Sequence, residues 1–149
     1  MKMLHDPAVR RELETRLAAL RPDAERKWGT MTPDQMLWHV NQFLGWSMGE
    51  DCPPAKKSNA VTAALMKFFL IYMPWPKGAP TNPNAKVAAA TRHDFEAERA
   101  KCKALIDRFV SKPVDSAWPD DPSFGPADGT FASRLQAKHL NHHFTQFGV

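Results

Sequence analysis

GTFASRLQAKHLNHHFTQFG, residues 129–148, is the stretch on which the reading of this chain turns. At about 100° per residue, Phe131, Leu135, His139, His143 and Phe147 advance slowly round one side of a helical wheel, and Leu140 closes its edge. Arg134, Lys138, Asn141 and Thr145 gather on the opposite arc. Gly148 follows the last periodic position, where a helix ends most easily on a residue that tolerates a left-handed backbone. The segment is therefore expected to be an amphipathic helix from about Gly129 to Phe147. Three of the chain's six histidines lie on it, with His139 and His143 on the apolar face and His142 at its border.

Working back towards the N-terminus, KPVDSAWPDDPSFGPADG reads as a long loop. Before it, Phe95, Cys102, Leu105, Ile106 and Phe109 keep helical spacing over about Arg92 to Val110. The apolar run Val61 to Met73 is another helix, stopped by PWPKGAPTNPN with its four prolines. TPDQ, at Thr32 to Gln35, is a start signal for a helix reaching to about Gly49: Thr32 at the cap, Pro33 in the first turn, Gln35 completing a capping box. A first helix runs from about Pro7 to Leu20, closed by Pro22. No segment alternates with a strand period and no repeat is present, so the fold class is all-α. At 149 residues one domain, 1–149, is the expectation.

Composition removes several classes of function. Apolar residues at 43% and charged residues at 24% are ordinary for a globular chain. The formal charge of +4 comes from 20 Lys and Arg scattered among 16 Asp and Glu, without the basic stripe interleaved with aromatics that a nucleic-acid binder needs. Val61 to Met73 is 13 residues long and contains Lys67, short of the roughly 20 apolar residues of a membrane span. MKMLHDPAVRRELE has no apolar h-region, so cytoplasmic residence is expected, and Cys52 and Cys102, with no ligand spacing, are expected to be thiols there.

The helix that starts at Pro33 places Met36, Val40, Phe43, Leu44 and Trp46 on one side, with His39 between Trp46 and Phe43. A single core histidine is usually just a hydrogen-bonded core residue. His139 and His143 are different, because side chains at i and i+4 lie roughly 5–6 Å apart. Two imidazoles buried that close repel if both are charged and lose hydration if neither finds a partner, whereas a divalent cation uses the neutral lone pairs of both. His39, His139 and His143 are thus the expected metal ligands. His142, near a helix C-terminus, is explained by the helix dipole without a metal.

Three blocks carry a resemblance that spacing alone does not supply. WGTMTPDQMLWH (Trp28 to His39), PWPKGAPT (Pro74 to Thr81) and HLNHHFTQFG (His139 to Gly148) match in order and spacing the patterns WGxMTxxQMLWH, PxPKGxPT and HxxHHxxQFG. The chain resembles the DinB-like metalloprotein superfamily, and most closely a bacterial branch of it with no assigned reaction. The resemblance covers nearly the whole chain. It implies an up-down-down-up four-helix bundle with an extra short helix and long loops. One histidine of the second helix and an HxxxH pair of the last would bind a divalent metal, which by position are again His39, His139 and His143. The superfamily includes metal-dependent thiol transferases, isomerases and proposed hydrolases.

Three neutral imidazoles leave a divalent ion uncompensated and a coordination position open, the pattern of a catalytic rather than a structural site. Zn, Ni or Fe would suit such ligands. The implied chemistry is transfer or hydrolysis on a small molecule, with an external thiol or water as nucleophile, since no GxSxG elbow, P-loop or dinucleotide fingerprint is present. Gln146 is a candidate to orient a substrate, and Asp94 or Glu98 to act as base. Trp38, Trp46 and Trp75 are candidate pocket aromatics and, more simply, core. The apolar Val61 to Met73 helix has more apolar faces than a small bundle can bury, so a homodimer is expected. The alternative is a non-catalytic helical homo-oligomer whose metal site is structural or absent.

Overall fold

Polar side chains at the caps set where the helices of this computed structural model begin; it describes residues 2–54, 59–78 and 91–149. Helix α1 (Pro7–Ala19) starts where Asp6 accepts the Ala8 N–H at 2.8 Å. Helix α2 (Pro33–Ser47) starts with Pro33 in its first turn, and Gln35 Oε1 reaches back to the Thr32 N–H at 3.0 Å. Asn59 opens α3 (Ala60–Tyr72) through the Thr62 N–H, Asp94 opens α4 (Phe95–Ser111) through the Ala97 N–H, and Asp128 opens α5 (Gly129–Gln146) through the Phe131 N–H. Each side chain satisfies a donor that the first helical turn leaves without an intrahelical partner. The described residues contain no strand, only a single bridge between Asp121 and Gly125 inside a turn, so the fold is all-α. The loop expected after Pro74 is described as far as Gly78; its Pro80 and Pro83, like Ala55 to Ser58 of the preceding loop, lie outside the described residues.

The start of α4 corrects the sequence reading, which placed it near Arg92. Asp34 of α2 accepts from two guanidinium nitrogens of Arg92, Nε and Nη2, each at 3.0 Å, and from the His93 N–H at 2.9 Å. Gln35 Nε2 donates to the Thr91 carbonyl at 2.7 Å. Residues 91–93 are thereby drawn onto the α2 N-terminus, and the helix begins only after them. Burial alone would raise the Asp34 pKa, but the hydrogen bonds from Arg92, the His93 N–H and Thr32, with the Arg92 charge, hold it well below the usual carboxylate range.

Helices α1, α4, α2 and α5 contact one another in a closed cycle, α1 on α4, α4 on α2, α2 on α5 and α5 on α1. Their inner faces supply one buried apolar cluster, including Leu13 and Leu17, Met36, Leu37, Val40 and Leu44, Leu105, Ile106 and Phe109, and Leu140 and Phe144. Burying such side chains contributes on the order of 1.5–3 kcal/mol each before chain entropy is counted. Helix α3 stands outside that cluster and packs on α5. Its Ala63 and Ile71 are buried, while Val61, Leu65, Met66, Phe68, Phe69, Tyr72 and the following Met73 are 47–78% exposed.

The ends of the chain lie against α5. His5 Nε2 donates to the Lys112 carbonyl and its Nδ1 accepts from the Ser133 hydroxyl, both at 2.9 Å. This histidine is a hydrogen-bonded pin between elements. On α1, Arg16 bonds Asn141 Oδ1 at 2.7 Å, Thr145 Oγ1 at 2.9 Å and the Val149 carbonyl at 2.7 Å. Gly129 is required at the start of α5, since a Cβ there would collide with the Val114 carbonyl and the Trp118 indole. No described helix is long and apolar enough to cross a membrane. Both cysteines are free thiols, Cys52 exposed and Cys102 buried, with burial pushing the Cys102 thiol up to about 12.

Candidate metal centre

His39 enters from the middle of α2, and His139 and His143 from successive turns of α5. The contact between these two helices closes the three rings on one another. Ring centroids are 5.1 Å apart for His39 and His139, 4.8 Å for His39 and His143, and 4.7 Å for His139 and His143. One ligand atom from each ring lies within 4.8 Å of the others. The three are 3%, 5% and 8% exposed. No carboxylate or thiol belongs to the cluster among the described residues.

Burial in mutual contact makes the His139 and His143 imidazoles poor bases. The His139 pKa is driven well below the usual histidine value, first by burial and then by the charges that His143, His39 and His142 would carry. That of His143 falls to about 3, first through burial and then through His39, with the Gln146 hydrogen bond acting in the opposite direction. At neutral pH both rings are uncharged and hold a lone pair on one nitrogen, which is the form a metal takes.

The spacing fits a metal as well as the charge state does. A zinc-sized ion sits about 2.0–2.1 Å from each imidazole nitrogen, which puts two such nitrogens ~2.9–3.4 Å apart for bond angles between a right angle and a tetrahedral one. His39 Nε2 and His139 Nε2 are 3.1 Å apart. Between two neutral rings without an ion, the same distance requires one nitrogen to donate its proton to the other.

Aromatic side chains pack around the cluster. Phe43 tilts against His39 at 4.9 Å and His139 at 4.8 Å, and Trp46 backs Phe43 at 4.8 Å. Trp75 lies 5.8 Å from His139 and 5.5 Å from His142, and Trp28 lies 5.6 Å from His142. Phe43, Trp28, Trp75 and His142 are all half-buried, so they form the edge between the cluster and solvent. Two cations overlie that edge: Lys77 Nζ is 5.2 Å from the Trp28 ring and Lys138 Nζ is 5.4 Å from the Trp75 ring. His142 thus keeps its border position, its pKa lowered by burial and then by Lys138.

The other sequence candidates sort differently. Gln146 is buried with its amide against His143, Oε1 to Nδ1 at 2.9 Å. Asp94 caps α4, and Glu98 accepts from Asn41 Nδ2 at 2.7 Å. Trp38 stacks on His93 at 5.3 Å. Of the three tryptophans weighed from the sequence, Trp75 is the one that touches a histidine of the cluster. Lys138 differs from its reading as a residue of the polar arc: its ammonium donates to the carbonyls of Leu70, Ile71 and Met73 at 2.5–3.1 Å. It closes the C-terminus of α3 and ties that helix to α5 beside the histidines. Trp28 was missed, because its role depends on a loop folding back over α5; the WG pair that begins the first motif block was its only signal. A cleft of about 420 Å³ between residues 22–26 and Thr32, Pro33 and Arg92 contains none of the three histidines.

Set against protein-family profiles, curated proteins and solved structures, the chain gives no match.

Proposed function

We propose that this chain is a DinB-like metalloprotein in which His39, His139 and His143 hold one divalent ion and promote attack by an external thiol or water on a small molecule. The observation that carries the reading is the convergence of three buried imidazoles with ligand atoms inside 4.8 Å. The closed cycle of α1, α4, α2 and α5 is the arrangement a four-helix bundle requires, with α3 as the additional helix. Zn, Ni or Fe suits the donors. When bound, such an ion lowers the pKa of a water or thiol brought to it and so supplies a nucleophile at neutral pH.

The protein's own groups do the rest. The imidazoles are neutral, so the site keeps the full charge of a cation and attracts anions. Lys77 and Lys138 add positive charge at the edge, and the aromatic rings of Trp28, Trp75 and Phe43 offer faces to an apolar or aromatic small molecule. An external thiol is favoured slightly over water by analogy with the family that the chain resembles.

Elemental analysis of protein purified without a His-tag or added metal is expected to find about one divalent ion per chain. His39→Ala, His139→Ala or His143→Ala should each lower the occupancy sharply, and His142→Ala should leave it nearly unchanged. Wild-type protein that takes up no metal on reconstitution would end the reading. Bimane-type thiol transfer and ester hydrolysis, assayed side by side with chelator controls, then separate the two nucleophiles.

The exposed face of α3 favours a second reading, association of two copies, which is compatible with the first. Phe68, Phe69 and Tyr72, about half exposed and each of roughly 150–250 Å², offer on the order of 300 Å² of apolar surface, and Val61, Leu65, Met66 and Met73 extend the strip. A standard interface takes about 800 Å² from each partner. The charge of Lys67 is turned away from that strip, its ammonium on the Pro126 carbonyl and over the Phe131 ring.

A further inference from the structure

The side chain of Gln146 is held at both ends. Its Nε2 donates to the Trp28 backbone carbonyl at 2.8 Å, and its Oε1 lies 2.9 Å from His143 Nδ1. Its own backbone carbonyl accepts the Lys27 N–H at 2.7 Å, and the side chain is 3% exposed. The loop is shaped around this amide. Gly29 adopts φ +79°, and a Cβ there would stand 2.6 Å from Gln146 Nε2. Arg26 Nε donates to the Gly29 carbonyl at 3.0 Å and braces the same turn.

A chain of single choices follows. A backbone carbonyl can only accept, so the Gln146 atom facing Trp28 must be the amide nitrogen. The atom facing His143 is then the amide oxygen, which also only accepts. His143 Nδ1 must carry the ring proton, and in a neutral ring the lone pair is left on Nε2. We propose that Gln146, fixed by the Trp28–Gly29 turn, is a positioning residue that locks His143 in the tautomer whose Nε2 is free to take a cation. The lock itself stands on hydrogen-bond geometry; its purpose rests on the three-histidine metal reading above.

The His39 and His139 pair makes the contrast. Their facing Nε2 atoms share one proton when no ion is between them, so that pair must rearrange on metal uptake, whereas His143 is prepared in advance. Partners of this kind beyond a ligand typically change metal affinity 10–100-fold when removed.

Long-range proton–nitrogen NMR correlations of ¹⁵N-histidine-labelled, chelator-treated protein at pH 7.5 read the tautomer directly. Wild type is expected to show His143 protonated at Nδ1. Gln146→Met keeps the length but loses both hydrogen bonds, and should shift His143 towards the Nε2-protonated form. Gln146→Glu keeps an acceptor and should retain the Nδ1 proton. In competition titrations with zinc, Gln146→Met should bind 10–100-fold more weakly than wild type, and Gln146→Glu far closer to it. An unchanged tautomer and unchanged affinity in a folded Gln146→Met would overturn the proposal, as would an Nε2-protonated His143 in wild type, which needs no variant to fold. Should wild type bind no zinc, the metal reading falls and the lock is decided by the NMR alone.

Discussion

His139 and His143 are neutral because they are buried together, and that has a sign for stability. Both pKa values are depressed on folding, His143 to about 3, while the unfolded chain regains a value near 6.5. Between those limits the unfolded state binds more protons than the native one, so stability rises with pH there. In the metal-free protein it is fully present above about pH 6.5 and is lost progressively as the pH falls towards 3. Urea midpoints measured on chelated wild type across pH 7.5 to 4.5 should fall with pH. In a His139→Phe, His143→Phe variant that remains folded, the fall should be shallower. Equal slopes for the two proteins would mean that these histidines do not carry the linkage.

At the scale of elements, α3 is the part whose sequence and surroundings disagree most. It is the most apolar helix of the chain, yet it stands outside the core cluster, attached to α5 by its own packing and by Lys138 on its last carbonyls. If its outer strip meets a second copy, wild type sediments as a dimer at micromolar concentration. Phe68→Glu with Phe69→Glu should convert it to a monomer without changing helix content or metal occupancy, since both side chains are about half exposed and neither lies in the core cluster. A monomeric wild type would rule that interface out. The start of α2 was legible at this scale because its caps are local: Thr32 and Gln35 act within three residues of each other. The offset at α4 was not legible, because the residue that holds Arg92 and the His93 N–H is Asp34, on another helix.

For the whole molecule, that same carboxylate is a tie on which the placement of α4 depends. Asp34 is 3% exposed and accepts from the Arg92 guanidinium and the His93 N–H. Asp34→Ala would leave those donors without their acceptor at the junction into α4, on the helix that also carries His39. A loss of about 1–2 kcal/mol is expected, because the Arg92 side chain is 65% exposed and water can take up its donors, read as a lower urea midpoint at unchanged slope. Asp34→Asn, which can still accept from one donor, should lose less. A change within experimental scatter for Asp34→Ala would show that the junction is held by the packing of α2 on α4 alone.

The sequence by itself determined the all-α class, the order and approximate limits of the five helices, and the inward direction of His39, His139 and His143. It could do so because helical period and capping are properties of neighbours a few residues apart. Only the tertiary structure decided what those inward residues meet. His39 lies 100 positions from His139, and Gln146 lies 118 from the Trp28 carbonyl that orients it. Neither distance leaves a periodic trace, because which loop folds over which helix is set by the packing of the whole chain. Lys138 and Trp75 show the same limit. A wheel assigns a side chain its direction, but only the neighbouring helix decides whether that direction ends in water or on another element's carbonyl oxygens.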